Sequence, residues 1–166
     1  MLSRTSWWAR RFVVALSLSI AAIAVVQVAA FADIPAGEGG TFALGFSPTA
    51  VRSADGNTFI SFTFVENIQG ALNGTRTGVG TLVVHPDGTV NARDSGVFVG
   101  TIDGASGTAI LRVDASGTFS AVNANFTVSD GTDGLAGVHV EGTVAGSATG
   151  PTSFGGSYLA NIHWSN

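Results

Sequence analysis

The chain has 166 residues, a length typical of one domain, and it contains no cysteine, which excludes disulfides, cysteine metal ligands and thiol nucleophiles. Only 11% of the residues are charged, and the net charge of −4 disfavours nucleic acid and anionic membrane surfaces as partners. All 23 glycines lie at or beyond Gly37, and with many β-branched residues they argue against helices beyond that point.

The N-terminal residues 1–32 have the pattern of a secretory signal peptide. Three arginines form a positive region, an apolar run from Phe12 to Ala30 follows, and Ala30-Phe31-Ala32 fits a cleavage site. We expect a signal helix, cleavage after Ala32, and a secreted or extracytoplasmic protein with no membrane contact after cleavage. Because the apolar run is long enough to span a bilayer, an uncleaved anchor is the alternative. The expected mature chain keeps four arginines against eleven acidic residues, a net charge of −7.

Residues 33–40 are predicted to be a flexible lead-in, and residues 41–166 a β domain. A short first strand is expected from Thr41 to Phe46, followed by an irregular segment from Ser47 to Gly56 with turn signals at each end. The next strand, Thr58 to Gln69, alternates apolar and polar residues, as a strand does when one face meets a core or a lumen.

The stretch from Gly70 to Gly117 predicts successive hairpins. His85-Pro86-Asp87-Gly88 is a strong turn signal, and Asp103-Gly104 repeats it. A further turn is expected at Asp114 to Gly117. The strands between these turns are predicted at residues 77–84, 89–102 and 108–113. The turn glycines are expected at Gly56, Gly74, Gly88, Gly104, Gly117 and Gly131.

The same rhythm continues to the end of the chain. Strands are predicted at residues 118–129, around Val138 to Val144, and at 157–164, with a small-residue loop from Ala145 to Thr152. The fold class is therefore all-β, a single antiparallel up-and-down β-barrel of about eight strands behind the signal helix. Such a barrel is wide enough to be filled by side chains or to hold one small ligand.

The glycine and turn pattern resembles a bacterial family of uncharacterised function whose fold is similar to the allene oxide cyclase barrel. The resemblance runs from Gly70 to the C-terminus. It is carried by residues 70–75 (GALNGT), 100–108 (GTIDGASGT), 117–119 (GTF) and 131–142 (GTDGLAGVHVEG). It implies a closed barrel and, by analogy, an isomerase or cyclase acting on a hydrophobic substrate. The chain departs from the family's polar residues at Gly96, Ala105 and Arg112-Val113.

Two acidic residues are candidates for chemistry. Glu66 continues the apolar face of the second strand, and Asp94 shares its face with Val90 and Phe98. If that face lines the lumen, burial would raise the pKa of each carboxyl, and each group is then a candidate catalytic base or ligand anchor. The alternative is a position at the rim or in solvent, since unpaired buried glutamate is rare.

Five apolar side chains are the candidate lumen residues for a ligand: Ile60, Phe62, Phe64, Phe98 and Phe126. His139, Glu141 and His163 lie on polar strand faces and are expected in solvent, so no metal site is predicted, and no cofactor motif is present.

Three functions remain open. The first is a secreted β-barrel that binds a small apolar molecule in its lumen. The second is the isomerase or cyclase that the resemblance implies, with Glu66 and Asp94 as the residues to test. The third is a structural or surface assembly protein that uses the exterior of the barrel. The direction in which Glu66 and Asp94 point discriminates among them, and the oligomeric state is left open.

Overall fold

The computed structural model describes residues 39–165, and the predicted signal segment lies outside this range. The described residues form eight strands and short turns. The strands are β1 (Gly39–Ala54), β2 (Asn57–Gly70), β3 (Leu72–Val84), β4 (Thr89–Ile102), β5 (Ala105–Thr118), β6 (Ala121–Asp133), β7 (Val138–Gly150) and β8 (Ser153–Trp164).

The eight strands follow one another around a closed ring. Each strand pairs antiparallel with the next in sequence, and β8 pairs back to β1 from Gly39 opposite Leu159 to Gly45 opposite Ser153. Closure leaves no free sheet edge to recruit another strand. The predicted all-β, up-and-down architecture of about eight strands is thus confirmed.

Three of the predicted turns lie where the sequence places them. Asp55-Gly56 joins β1 to β2, His85 to Gly88 joins β3 to β4, and Asp103-Gly104 joins β4 to β5. Asp103 and Gly104 both have positive φ, at 48° and 80°, as a primed two-residue turn requires. Strand β4 has the predicted bounds.

The other three expected turn glycines lie inside strands. Gly74 belongs to β3, Gly117 to β5 and Gly131 to β6, while the turns fall at residues 70–71, 119–120 and 134–137. An added Cβ would collide with backbone atoms of the next strand at Gly74 and Gly117, and with the Leu135 carbonyl of the β6–β7 turn at Gly131. Close backbone packing therefore accounts for Gly74 and Gly131, and Gly117 in addition has a positive φ of 140°.

Two segments predicted to be irregular are also strands. Residues 47–54 continue β1 past a bulge between Pro48 and Ala50, and residues 145–150 continue β7 past a bulge between Ala148 and Gly150. In both cases the bulge absorbs a residue that disturbs the alternation, so the ladder resumes beyond it. In the described residues β1 begins at Gly39, two residues before the start expected for the first strand.

Alternate residues of every strand face the interior, which contains two apolar clusters. The first cluster fills the end of the ring that holds both chain termini of the β domain, and it includes Leu72, Phe98, Ile102, Leu135 and Val140, all at most 1% exposed. The second, smaller cluster comprises Phe62, Phe64, Leu82 and Val90. It lies toward the opposite end, the hairpin end, where the β1–β2, β3–β4, β5–β6 and β7–β8 turns are. We call these the terminal cluster and the hairpin-end cluster.

Aromatic side chains in the interior lie over glycines of the adjacent strand or, for Phe64, of the second strand away. A Cβ added at Gly80 would meet the ring of Phe62, one at Gly96 the ring of Phe64, and one at Gly142 the ring of Phe126. The interior of an eight-strand ring has room for large side chains only where small ones lie opposite. Inward glycines thus set the places where the phenylalanines pack.

None of the described residues forms a helix of the length and apolar character needed to cross a membrane.

Candidate functional site

Three charged side chains meet inside the ring, between the two apolar clusters. Arg76 Nε donates to Glu66 Oε2 at 2.6 Å, and Arg76 Nη1 donates to Asp94 Oδ1, also at 2.6 Å. The side chain of Arg76 is 1% exposed and those of Glu66 and Asp94 are 9% exposed. We call this group the interior triad.

The strand register brings the triad together. Glu66 on β2 lies directly opposite Arg76 on β3, and Asp94 on β4 lies opposite Gly80. All three residues occupy the inward positions of their strands, and Gly80 has no side chain to separate Asp94 from Arg76. The arginine can therefore reach a carboxylate on each neighbouring strand.

Two further contacts hold the guanidinium of Arg76. Nη1 also donates to the backbone carbonyl of Leu111 on β5, at 3.3 Å, and the guanidinium carbon lies 4.5 Å from the centre of the Phe64 ring. The ring face adds a cation–π attraction that strengthens when water is excluded. Arg76, on β3, is thereby fixed by side chains or backbone of three other strands, β2, β4 and β5.

Burial dominates the electrostatics of the two carboxyls. Desolvation raises the pKa of Glu66, the Arg76 charge opposes this, and the nearby Asp94 charge raises it further. Desolvation likewise raises the pKa of Asp94 against the opposing effect of Arg76. One arginine cannot fully compensate two buried carboxylates, so the pair holds a proton more tightly than carboxyls in water do.

A cavity of about 100 Å³ lies beside the triad and extends into the hairpin-end cluster. Its walls are almost wholly apolar, and Glu66, Arg76 and Asp94 are its charged lining residues. The other walls include Phe42, Phe46, Phe62, Leu82, Val90, Ala92, Val113, Ala124 and Phe154. A polar floor under an apolar chamber is the usual composition of a small-molecule site.

A second space of about 30 Å³ lies on the other side of Glu66, against the terminal cluster. Phe42, Glu66, Val113 and Val144 line both spaces, so Glu66 lies between them. The smaller space has room for about one water molecule. The ring is therefore filled at its terminal end and hollow toward its hairpin end.

The predicted lumen residues all lie in the interior but in different parts of it. Phe62 lines the larger cavity, Phe64 covers Arg76, and Ile60 packs, partly buried, against the hairpin-end cluster. Phe126 lines the smaller space, and Phe98 is fully buried in the terminal cluster without lining either space.

The predicted acidic candidates both face the cavity, whereas the polar residues of β7 and β8 face outward. His139 and Glu141 contact each other at 3.3 Å on the exposed surface, and His163 lies opposite His139 on the next strand. Among residues 39–165, no group of three potential metal ligands comes together.

Sequence reasoning missed Arg76 and the aromatic wall from β1, Phe42 and Phe46. Placing a turn at Gly74 assigned residues 70–76 to a loop, which hid the pairing of Glu66 with Arg76. The true turn at Gly70-Ala71 puts Arg76 on the inward face of β3, together with Leu72 and Leu82. An inward arginine opposite an inward glutamate is a signal that the correct register would have supplied.

Comparisons with known proteins bear on the fold. A scan against protein-family models found no match, and a search of curated proteins found none either. A solved structure from Shewanella oneidensis MR-1, a protein of unknown function from the DUF3224 family, is similar with a TM-score of 0.61 and 18% identity. The match covers 77% of this chain and 96% of that chain.

At this level of identity the likeness shows a shared fold, which alone does not identify a function. The neighbour's uncharacterised family is consistent with the resemblance to an uncharacterised family inferred from the glycine pattern. The similarity to allene oxide cyclase stays a prediction.

Proposed function

We propose that this protein is an exported β-barrel that binds a small, mainly apolar molecule in its interior cavity. The observation that carries the proposal is the cavity of about 100 Å³, which has apolar walls and a buried charged floor. The signal-like pattern of residues 1–32 supports export.

The volume limits the ligand. An engineered cavity of about 150 Å³ is enough to take up benzene. The cavity here is smaller, so it holds one end of a short branched molecule whose remainder extends toward the hairpin end. The terminal cluster closes the opposite end with fully buried side chains such as Phe98 and Ile102.

Access to the cavity is from the hairpin end. The ring centroid of Phe46 lies 5.3 Å from that of Phe62 and 6.3 Å from that of Phe154. The Phe154 centroid lies 6.1 Å from that of Phe119, in the β5–β6 turn. Phe119 is 40% exposed, so this row of rings runs from the cavity wall to the surface. Rings that rotate or shift at this end open a path for an apolar molecule without breaking the strand ladder.

Isopentanol is a suitable probe because it is short, branched and mainly apolar. We expect it to raise the melting temperature of the purified protein by at least about 2 °C, since a ligand that binds only the folded state stabilises it. The substitution Ala92→Leu, which fills the cavity, should abolish the rise. Ala43→Leu, the same change on the exposed face of β1, is the matched control. Equal shifts in both variants, or no shift in the wild type, would refute the proposal.

An isomerase or cyclase activity is the second candidate, favoured by the position of Glu66 and Asp94 at the floor of an apolar cavity. Burial raises the pKa of both carboxyls, and a raised pKa makes an ionised carboxylate a stronger base for proton abstraction. The alternative predicts that Glu66→Gln abolishes turnover of a bound epoxide or alkene while leaving its binding intact. A bound compound that mass spectrometry recovers unchanged after long incubation argues for binding alone.

A further inference from the structure

We propose that the ligand of the cavity is an amine: a small apolar body with one protonated nitrogen that binds the carboxylates of Glu66 and Asp94. This inference rests on the proposed function, because it assigns the chemical class of the molecule that occupies the same cavity.

Charge balance is the first reason. When both carboxyls of the interior triad are ionised, they carry two negative charges against the single positive charge of Arg76. The side chains of all three residues are at least nine-tenths buried, so solvent screens this imbalance poorly. One further cation in the cavity makes the group neutral.

The second reason is the set of atoms that Arg76 leaves unpaired. Arginine binds one oxygen of each carboxylate, Glu66 Oε2 and Asp94 Oδ1, and the other two oxygens receive no hydrogen bond within the described residues. No fully buried side-chain oxygen or nitrogen lacks a partner in that same region, so Glu66 Oε1 and Asp94 Oδ2 are not fully buried, and both residues line the cavity. The oxygens of an ionised carboxylate only accept hydrogen bonds, and an ammonium group offers three donors.

The third reason is the wall around these oxygens. The rings of Phe42, Phe46 and Phe62 line the cavity into which the carboxylates project. Aromatic faces attract cations as well as apolar groups, and the attraction increases where water is excluded. Carboxylates and aromatic rings together suit a molecule with an apolar body and a cationic end.

The same arrangement disfavours an acidic ligand. Arg76 commits its Nε and Nη1 to the two carboxylates and to the Leu111 carbonyl, which leaves Nη2 as its one nitrogen without a hydrogen bond within the described residues, so it is charge that disfavours an acid. A ligand carboxylate would place a third negative charge beside two that are already under-compensated. Burial raises the pKa of both carboxyls, so in the empty cavity a proton offsets part of the charge. An ammonium group takes over that role when it binds.

The test compares three probes that share one branched body and differ in the polar end: isopentylamine, isopentanol and isovalerate. Dissociation constants are measured by calorimetry on the purified protein at neutral pH. We expect the amine to bind at least about tenfold more tightly than the alcohol, an ion-pair preference of roughly 1.4 kcal/mol. Isovalerate should bind more weakly than either.

Two isosteric variants separate charge from shape. Glu66→Gln removes the excess negative charge, so the amine should lose its tenfold advantage while isopentanol still binds. Glu141→Gln, the same change on the outer face of β7, should leave all three affinities unchanged.

The outcomes separate the two proposals. Equal binding of amine and alcohol, or a preference that survives Glu66→Gln, overturns the amine inference but leaves cavity binding in place. Tighter binding of isovalerate overturns it too. Failure of all three probes to bind overturns both.

Discussion

Arg76 is the basic member of the interior triad. It binds two buried carboxylates from the strands on either side, lies against the face of the Phe64 ring, and donates a hydrogen bond to the backbone of β5. A buried ion pair is weak evidence of net stability, but removing one partner is costly because the other charge stays buried and unpaired. The same reasoning explains why the triad suits a ligand: its charges are held by the fold and are incompletely neutralised.

Arg76→Met is therefore expected to destabilise the protein strongly, by about 3–5 kcal/mol, because two buried carboxylates lose their common partner. The free energy of unfolding is measured by urea titration. Arg93→Met is the matched control, since Arg93 pairs with Asp114 on the outside, where its side chain is 80% exposed. That variant should lose less than about 1 kcal/mol. Similar losses in both variants would contradict the role assigned to the triad.

The triad also predicts how stability changes with pH. The folded-state pKa of Glu66 is raised above its ordinary value of 4.5, and that of Asp94 above 3.8, by desolvation. Between the ordinary and the raised values the folded protein holds a proton that the unfolded chain has lost. The contribution of these two carboxyls to the free energy of unfolding should therefore be fully present below the ordinary pKa values. It should be lost as pH rises through this window.

Urea unfolding from pH 4 to pH 8, compared between wild type and Glu66→Gln, isolates this contribution. The wild type should lose stability relative to the variant as pH rises. Parallel curves for the two proteins would show that Glu66 has the same pKa in both states. Glu141→Gln, the same change on the exposed surface of β7, is the matched control.

Tyr158 is a second buried polar side chain with a defined role. Its hydroxyl accepts a hydrogen bond from the backbone N–H of Leu72 at 2.8 Å and lies 3.1 Å from the Leu72 carbonyl, to which it can donate. It thereby ties β8 to the start of β3, across β1 and β2. Desolvation raises the pKa of Tyr158, so the hydroxyl stays protonated at neutral pH.

Tyr158→Phe should cost about 1–3 kcal/mol, because the buried Leu72 N–H loses its acceptor. The ring packs edge-on against Phe126, with centroids 5.9 Å apart, and this contact is retained in the variant. Urea unfolding measures the loss. Hydrogen exchange should locate it, with faster exchange of the Leu72 amide, and an unchanged exchange rate there would contradict the assignment.

The strands show which glycines a sequence can interpret and which it cannot. Turn glycines such as Gly88 and Gly104 are recognisable because they follow aspartate in short polar segments and have positive φ. Gly74, Gly80 and Gly96 look similar in the sequence, but they face the interior and leave room for rings or for neighbouring backbone. The difference lies in cross-strand partners, which a single strand does not reveal.

Gly80→Ala tests this packing role. An added Cβ would collide with the Phe62 ring and lie 2.8 Å from the Asp94 Cβ, so we expect a loss of about 1–3 kcal/mol. Gly45→Ala is the control, because a Cβ there meets nothing within 4 Å. That change should be neutral or should stabilise by roughly 0.4–1 kcal/mol through the unfolded chain. Equal effects of the two substitutions on urea unfolding would show that interior space is not what selects glycine at position 80.

The fold was easier to predict than the site because its signals are local in the sequence. Strand number and direction follow from turns and alternation, which are local, and both were predicted. The site depends on which residues of three strands lie opposite each other, and one misplaced turn at Gly74 was enough to hide Arg76. The face that Glu66 shares with Phe62 and Phe64 made an inward direction one of two alternatives, and the arginine partner that makes its burial tolerable was not predicted.

The location of a bound probe tests the central claim most directly. Isopentanol is titrated into protein labelled at its leucine and valine methyls, and the methyl signals are followed by NMR. Leu82, Val90 and Val113 line the cavity, whereas Val51, Val79 and Val97 are 63%, 63% and 44% exposed on the outside. The cavity assignment predicts saturable shifts of the methyl signals of Leu82, Val90 and Val113, and none at the outer valines. Shifts confined to the outer valines would contradict it.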